Sequence, residues 1–226
     1  MENLFKKYNI FVNKNQIEAF KKYYDILIEY NKMFNLTAIT EEKEVYIKHF
    51  IDSIIKNQDI KGKTLVDIGS GGGFPAIPIK VMRENLSVTM IEATNKKCDF
   101  LKKAIEYIGL KDIVVINGRA EELCLTDKYR EKFDTCTARA VARLNTLSEY
   151  CLPFVKVGGE FIAFKGNVTE ELNEAENAIQ VLGGKIENIY EYELEQAKRT
   201  IVYIKKITKT DKKYPRGHGK ERKNPL

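Results

Sequence analysis

The stretch Leu65-Val66-Asp67-Ile68-Gly69-Ser70-Gly71-Gly72-Gly73-Phe74-Pro75 decides the fold. It opens as a short apolar run, Thr64–Ile68, that breaks into a glycine cluster, the mark of a buried parallel strand giving way to a helix. Glycines at such a junction let the backbone turn tightly and approach a ligand, with helix N–H groups facing it. A glycine turn with no ligand is a weak account of three consecutive glycines in this context. The dinucleotide fingerprint G-x-G-x-x-G would put its third glycine at position 74, which is Phe74. The pattern is instead Asp67-x-Gly69-x-Gly71-x-Gly73. A carboxylate two residues before the first glycine would repel a pyrophosphate, and it suits a cationic amino-acid moiety.

On either side the hydrophobic period alternates. Ile17, Phe20, Tyr24, Leu27, Ile28 and Phe34 recur at helical steps and predict a helix over 15–34, followed by a second over 42–55. Past the glycine loop the pattern predicts helices over 75–84, 95–108, 143–156 and 169–182. It predicts strands over 87–92, 112–117, 133–138, 159–164, 185–193 and 199–207. Strands separated by helix-length segments argue for an α/β fold with a doubly wound, mostly parallel sheet. The last two strands have only a short link around Glu195–Lys198, so they should form an antiparallel hairpin at one edge. Residues 1–60 read as a helical extension packed on the core, 61–207 as the core and 208–226 as a basic tail.

Composition narrows the class. The chain has 226 residues, 43% hydrophobic and 31% charged, enough for one α/β domain with an appendage and too apolar for a disordered chain. No window approaches eighteen uncharged apolar residues, so no membrane span is expected. The first residues offer no signal-peptide core. Cys98, Cys124, Cys136 and Cys151 form no C-x-x-C pair, and only His49 and His218 could add imidazole ligands. Reduced thiols in a cytoplasmic protein, with no metal site, are the expectation. From Lys205 to Leu226 nine basic residues face two acidic ones, a net +7 that leaves −1 on the rest of the chain. A near-neutral body with a basic tail suggests a polyanion partner. Tyr214, Pro215, Gly217, Gly219 and Pro225 make that tail a poor helix, able to drape over a partner or simply to be solvated.

The glycine loop resembles motif I of class I S-adenosylmethionine-dependent methyltransferases, whose ligand carries a sulfonium and an α-amino group in place of phosphates. Val88-Thr89-Met90-Ile91-Glu92 ends in a carboxylate that can accept hydrogen bonds from both ribose hydroxyls. Asn117-Gly118-Arg119-Ala120-Glu121 ends the third strand, where the methyltransferase pattern places the adenine contacts. Arg139, after the fourth strand, should border the pocket at the carboxyl ends of the strands. No Asn/Asp-Pro-Pro-aromatic turn and no Pro-Cys nucleophile follows that strand, and Cys136 reads as a buried core thiol. The simplest acceptor then has a free lone pair and no proton to lose, such as guanine N7. Its methylation needs mainly in-line positioning and desolvation.

Further segments make the resemblance specific. They are Tyr30-Asn31-Lys32-Met33-Phe34-Asn35-Leu36-Thr37, His49-Phe50-Ile51-Asp52-Ser53, Arg119-Ala120-Glu121, Ala138-Arg139-Ala140-Val141-Ala142, Lys165-Gly166, Tyr214-Pro215-Arg216 and Asn224-Pro225-Leu226. In this order they resemble the bacterial 16S ribosomal RNA guanine-N7 methyltransferases (the RsmG, or GidB, family) over nearly the whole chain. Two positions depart: Ala76 stands where many members have glycine, and Tyr30 where many have tryptophan. The resemblance implies S-adenosylmethionine as cofactor and one guanine in the 530 loop of 16S ribosomal RNA, or of the small subunit, as target. It implies cofactor contacts at Gly69, Phe74, Ala120, Glu121 and Arg139, with no acid/base residue, and the reading of the loop and second strand adds Asp67, Gly71 and Glu92. Arg119, Lys165 and, collectively, the tail cations Lys212, Lys213, Arg216 and Arg222 are expected RNA contacts, positioning the phosphate backbone rather than reading bases, and Arg143 reads equally as such a contact or as a surface arginine at a helix start. His49 reads as a helix-packing or RNA-facing residue outside the cofactor core, since N7 has no proton to remove. A small-molecule or protein methyltransferase, a non-catalytic ribosome-assembly factor and a nicotinamide oxidoreductase remain as alternatives. The tail, the intact glycine loop and Phe74 respectively disfavour them.

Overall fold

The computed structural model describes residues 1–226. Seven strands run as β1 (Thr64–Ile68), β2 (Ser87–Glu92), β3 (Ile113–Asn117), β4 (Phe133–Arg139), β5 (Val155–Lys165), β6 (Gly184–Leu194) and β7 (Ala197–Lys206). They form one sheet in the order β3-β2-β1-β4-β5-β7-β6. β1 to β5 pair in parallel, while β7 runs antiparallel to both β5 and β6. Strand order reverses between β1 and β4, and open sheets of this kind bind ligands in the crevice outside the carboxyl ends at that point. The glycine loop leaves β1 there, and Arg139 ends β4 beside it.

The helices are α1 (Glu2–Lys7), α2 (Lys14–Asn31), α3 (Glu42–Val45), α4 (Asp52–Ile54), α5 (Ala76–Met82), α6 (Asn95–Ile108), α7 (Ala120–Leu123), α8 (Leu144–Cys151), α9 (Thr169–Val181) and α10 (Lys220–Lys223). The sequence pattern shows no sign of α1, α7 or α10, each too short to express a period. The helix expected over 42–55 forms with a π-helical middle, Tyr46–Ile51, which carries His49. The helix expected over 143–156 stops at Cys151, because Pro153 supplies no N–H to continue it, and β5 begins already at Val155. The hairpin turn is Glu195-Gln196, both at positive φ, the geometry that matches strand twist in a two-residue connection. Lys7 Nζ at 3.1 Å and the Tyr8 hydroxyl at 2.7 Å donate to Glu195, so the start of the chain is tied to the hairpin tip.

Successive residues of β1 divide between the two faces of the sheet, as the pleat requires. Leu65 joins a core with Phe5, Phe20, Tyr23 and Phe50, whereas Val66 and Ile68 join a core with α8 and α9 residues such as Leu147 and Ile179. On the first face the rings run in contact from Phe5 through Phe20 and Phe50 to Tyr23 and Phe74, with centroids 5.0–5.4 Å apart. The helices before β1 therefore pack onto the glycine loop itself.

Candidate methyl-transfer site

The glycine loop takes its shape from backbone angles that only glycine adopts freely. Gly69, Gly71 and Gly73 have φ of +69°, +55° and +95°. Gly69 N–H and Ser70 N–H both donate to Ile91 carbonyl, stitching the loop to β2. From the other side the Tyr23 hydroxyl donates to Gly72 carbonyl. A Cβ on Gly73 would meet Tyr23 Oη at 2.5 Å, whereas one on Gly71 would meet only Gly69 O, at 3.7 Å. Gly71 thus faces open space and Gly73 faces the core.

Two carboxylates stand behind this loop. Glu92, at the end of β2, is buried, and it accepts from Gly71 N–H at 2.9 Å and Thr94 N–H at 2.8 Å. Asp67 is fully buried. The register of β1 against β4 sets Thr137 beside it, and the Thr137 hydroxyl donates to Asp67 Oδ1 at 2.7 Å. Asp67 Oδ2 has no partner. Burial, only partly offset by its hydrogen bonds, pushes the Asp67 carboxyl up to about 7. A buried carboxylate with a free oxygen at the root of a glycine loop is fitted to a cation, and the donor set suits an amino-acid moiety better than a phosphate.

Arg139 holds the opposite wall. Its guanidinium lies 4.9 Å from the Phe74 ring centroid and donates to Asp52 Oδ2 at 3.1 Å and His49 Nδ1 at 3.2 Å. Because arginine only donates, His49 Nδ1 must accept, which leaves the proton of the neutral ring on Nε2. That N–H donates to Thr37 Oγ1 at 2.7 Å. Burial and the adjacent Arg139 charge hold the His49 pKa down to about 3, so the ring stays neutral. Its ring stacks on Phe74 at 4.5 Å, which corrects the expectation that His49 stands apart from the cofactor core. The His-Phe-x-Asp-Ser and Asn-Leu-Thr motifs are thus parts of one network ending on Arg139. The Tyr192 hydroxyl (2.8 Å) and Arg199 Nε (3.5 Å), both from the hairpin, complete the ring around Asp52.

Beyond Arg139 opens a cleft of ≈ 370 Å³, whose charged lining is Lys48, Asp52, Arg139, Lys165, Glu171 and Arg199. It lies at the carboxyl ends of β4 and β5, to one side of the glycine loop. Lys165 lines it. Ala120, buried, and Glu121, half-buried, open α7 after β3, with the exposed Arg119 3.7 Å from Glu121. Thr37, Asp52, Thr137, Tyr192 and Arg199 were not anticipated. Thr137 could have been found from the pairing of β1 with β4, and Thr37 and Asp52 lie inside motifs already singled out. No local signal marks Tyr192 or Arg199.

The tail cations are placed differently. Arg216 pairs with Glu149 through its Nε at 3.0 Å and Nη2 at 2.8 Å, and Glu149 is almost completely buried. Arg130 donates to the carbonyls of Thr210, Asp211 and Tyr214, while Tyr214, Pro215 and Glu221 are buried. The expected free arm is therefore a strap along α8, and Arg216 is held inside it rather than offered to a partner. Arg130 precedes β4, so Lys212 and Lys213 sit exposed at the amino end of the parallel strands, remote from the glycine loop. Arg222 is exposed over the Tyr150 ring, and Arg143 is paired with Glu174.

Fold and site together define a class I methyltransferase. Among solved structures the chain is similar to the ribosomal protein L11 methylase of Lactobacillus delbrueckii, at TM-score 0.54 and 18% identity over 71% of this chain and 79% of that one. It is likewise similar to P. horikoshii TYW2 in complex with MeSAdo, at TM-score 0.56 and 14% identity over 69% and 61%. At the sequence level, residues 16–202 match the family model GidB, rRNA small subunit methyltransferase G. Relatives named ribosomal RNA small subunit methyltransferase G include one from Acetivibrio thermocellus, 48% identical over 97% of this chain and 92% of its own length. Another, from Lachnoclostridium phytofermentans, is 50% identical over 95% and 91%. The chain belongs to this family of small-subunit rRNA methyltransferases.

Proposed function

We propose that this rRNA methyltransferase takes a methyl group from S-adenosylmethionine and places it on N7 of one guanine in the 530 loop of 16S ribosomal RNA. Membership of the family over residues 16–202 carries this reading, and the buried, half-satisfied Asp67 supports the cofactor. When bound, S-adenosylmethionine supplies an electrophilic methyl on a sulfonium. Asp67 offers Oδ2 to a cationic group of the cofactor, and Gly69 and Gly71 let the backbone come close. Glu92 is positioned to accept from ribose hydroxyls, and Ala120 and Glu121 to border the adenine. Phe74 and Arg139 close the wall between this pocket and the acceptor cleft. Guanine N7 has a lone pair and no proton, so the residues need only orient the base and exclude water. The neutral His49 serves that purpose by fixing Arg139.

In this reading residues 1–60 complete the acceptor wall, 61–207 hold the cofactor and 208–226 brace α8 while exposing Lys212, Lys213 and Arg222 to RNA in the cytoplasm. Arg119 and Lys165 contact RNA at the site, whereas Arg143 and Arg216 serve the fold first. The test supplies radiolabelled S-adenosylmethionine to small subunits, to assembly intermediates and to deproteinised 16S RNA that lack the modification, then maps the label. Label on one guanine N7 in the 530 loop is the expected result. Cofactor binding with no label on any substrate would overturn it.

A further inference from the structure

The acceptor cleft carries a charged pair for which the cofactor has no use. Lys165, the last residue of β5, and Glu171, in the first turn of α9, lie 2.7 Å apart with side chains only 10% and 20% exposed. Both line the cleft. Part of their bonding is structural. Lys165 Nζ donates to Ala142 carbonyl at 2.9 Å and Leu144 N–H donates to Glu171 Oε2 at 2.8 Å, which pins the loop between β4 and α8. These contacts do not exhaust either group. An ammonium has three N–H donors and a carboxylate about four acceptor positions. Lys165 spends two donors, on Ala142 and Glu171, and both contacts to Glu171 fall on Oε2. One Lys165 N–H and Glu171 Oε1 remain for a ligand.

We infer that Lys165 and Glu171 read the Watson–Crick edge of the acceptor base and make the enzyme choose guanine over adenine; this rests on the rRNA-guanine reading above. Both purines carry a lone pair at N7, and guanine's is the stronger nucleophile, so recognition by the protein adds to an intrinsic preference. Guanine presents the O6 acceptor beside the N1–H and N2–H donors. Lys165 donates to O6 and Glu171 accepts from the N–H edge, which leaves the neighbouring N7 lone pair, on the Hoogsteen edge, unbonded for the methyl. Adenine on the same pair sets N6–H against the ammonium and the N1 lone pair against the carboxylate. Each polar group left unpaired in such a cleft costs on the order of 10-fold. Sites built to hydrogen-bond a base edge reject an analogue lacking the right groups far better than apolar pockets do. The pair also sits where the fold places the acceptor, at the carboxyl ends of β4 and β5.

The experiment compares 16S RNA carrying guanosine with the same RNA carrying adenosine at the mapped position, both assembled by ligation. Transfer from radiolabelled S-adenosylmethionine is measured as kcat/KM, and cofactor affinity separately by calorimetry. The wild type should favour guanosine by at least ~100-fold. Glu171→Gln replaces an acceptor by a carboxamide that can donate to adenine N1. It should cut transfer to guanosine about 10-fold and lower the guanosine-over-adenosine ratio by about 10-fold or more from the wild-type value, with cofactor affinity unchanged. Lys165→Met, which removes the donor to O6, should narrow the same ratio and serves if the first variant does not fold. Equal slowing on both RNAs would reduce the pair to a loop brace and overturn the inference, as would a wild type indifferent to the base. Cofactor binding without transfer to the guanosine RNA is a separate failure, that of the rRNA-guanine reading itself.

Discussion

The glycine loop and the C-terminal tail are both short, irregular and rich in glycine, yet they are built on opposite principles. The loop is shaped by its own backbone, since Gly69, Gly71 and Gly73 adopt angles that few other residues tolerate. The tail turns at Gly217 and Gly219 with positive φ as well, but its path is held by what it touches: Arg216 on Glu149, Glu221 in the core and Arg130 on three of its carbonyls. A loop of the first kind can be read from sequence. A strap of the second kind looks like a charged, solvated end until the fold supplies its partners.

Arg216→Ala should break this contrast most forcefully if it is wrong. It leaves the Glu149 carboxylate buried without an ion partner, a loss of about 3–5 kcal/mol in chemical denaturation. An unchanged denaturation midpoint with weakened RNA binding would restore the free arm. Within the loop, Gly73→Ala and Gly71→Ala should separate the structural glycine from the ligand-facing one. Gly73→Ala should cost about 1–3 kcal/mol from backbone strain, with more from the clash with Tyr23, and lower the melting temperature by several degrees. Gly71→Ala should cost only about 1–2 kcal/mol in stability. Its added Cβ should instead weaken cofactor binding by ~10-fold or more through lost close approach. Equal effects of the two substitutions on both readouts would deny the distinction.

A smaller effect concerns pH. The Asp67 pKa in the folded protein, about 7, lies above its ordinary value of 3.8. Its contribution to the stability of the cofactor-free protein is therefore full below about 4 and is lost as pH rises through about 7. A cationic ligand requires the ionised form, so cofactor affinity should strengthen as pH rises through about 7, with proton release below it. Calorimetry in buffers of different ionisation enthalpy would detect that proton, and Asp67→Asn should both weaken binding and flatten its pH dependence. The least effect is expected from Lys212→Ala and Lys213→Ala. Each should reduce the slope of RNA affinity against salt by about 1 while leaving melting temperature and cofactor affinity alone. A drop in melting temperature would mean that these side chains belong to the strap as well.

Much of the fold and part of the site were legible in the sequence. The apolar run ending at Gly69 marked β1, and the helix-length spacings after it predicted the parallel sheet and its antiparallel edge, because period and glycine placement are local properties. Asp67 and Glu92 were visible for the same reason, as carboxylates at fixed offsets from that loop. The limits were also physical. Pro153 cut a helix whose apolar pattern ran past it. His49 looked remote because the π-helical turn and the stacking on Phe74 arise only when α2, α4 and β1 pack together. Tyr192 and Arg199 reach Asp52 across 140 and 147 positions of chain, which no pattern along the sequence encodes.

The sequence by itself determined the succession of strands and helices along the chain, the glycine loop with its two carboxylates, and the family resemblance. Each is written in residues close together or in side chains whose backbone requirements are their own. Only the tertiary structure decided which charges are spent and which are free. Arg216 and Glu149 neutralise each other, Arg139 is shared by Asp52, His49 and Phe74, and Lys165 with Glu171 keeps one donor and one acceptor for a ligand. The strength of a charge interaction depends on distance and on burial, and the fold sets both.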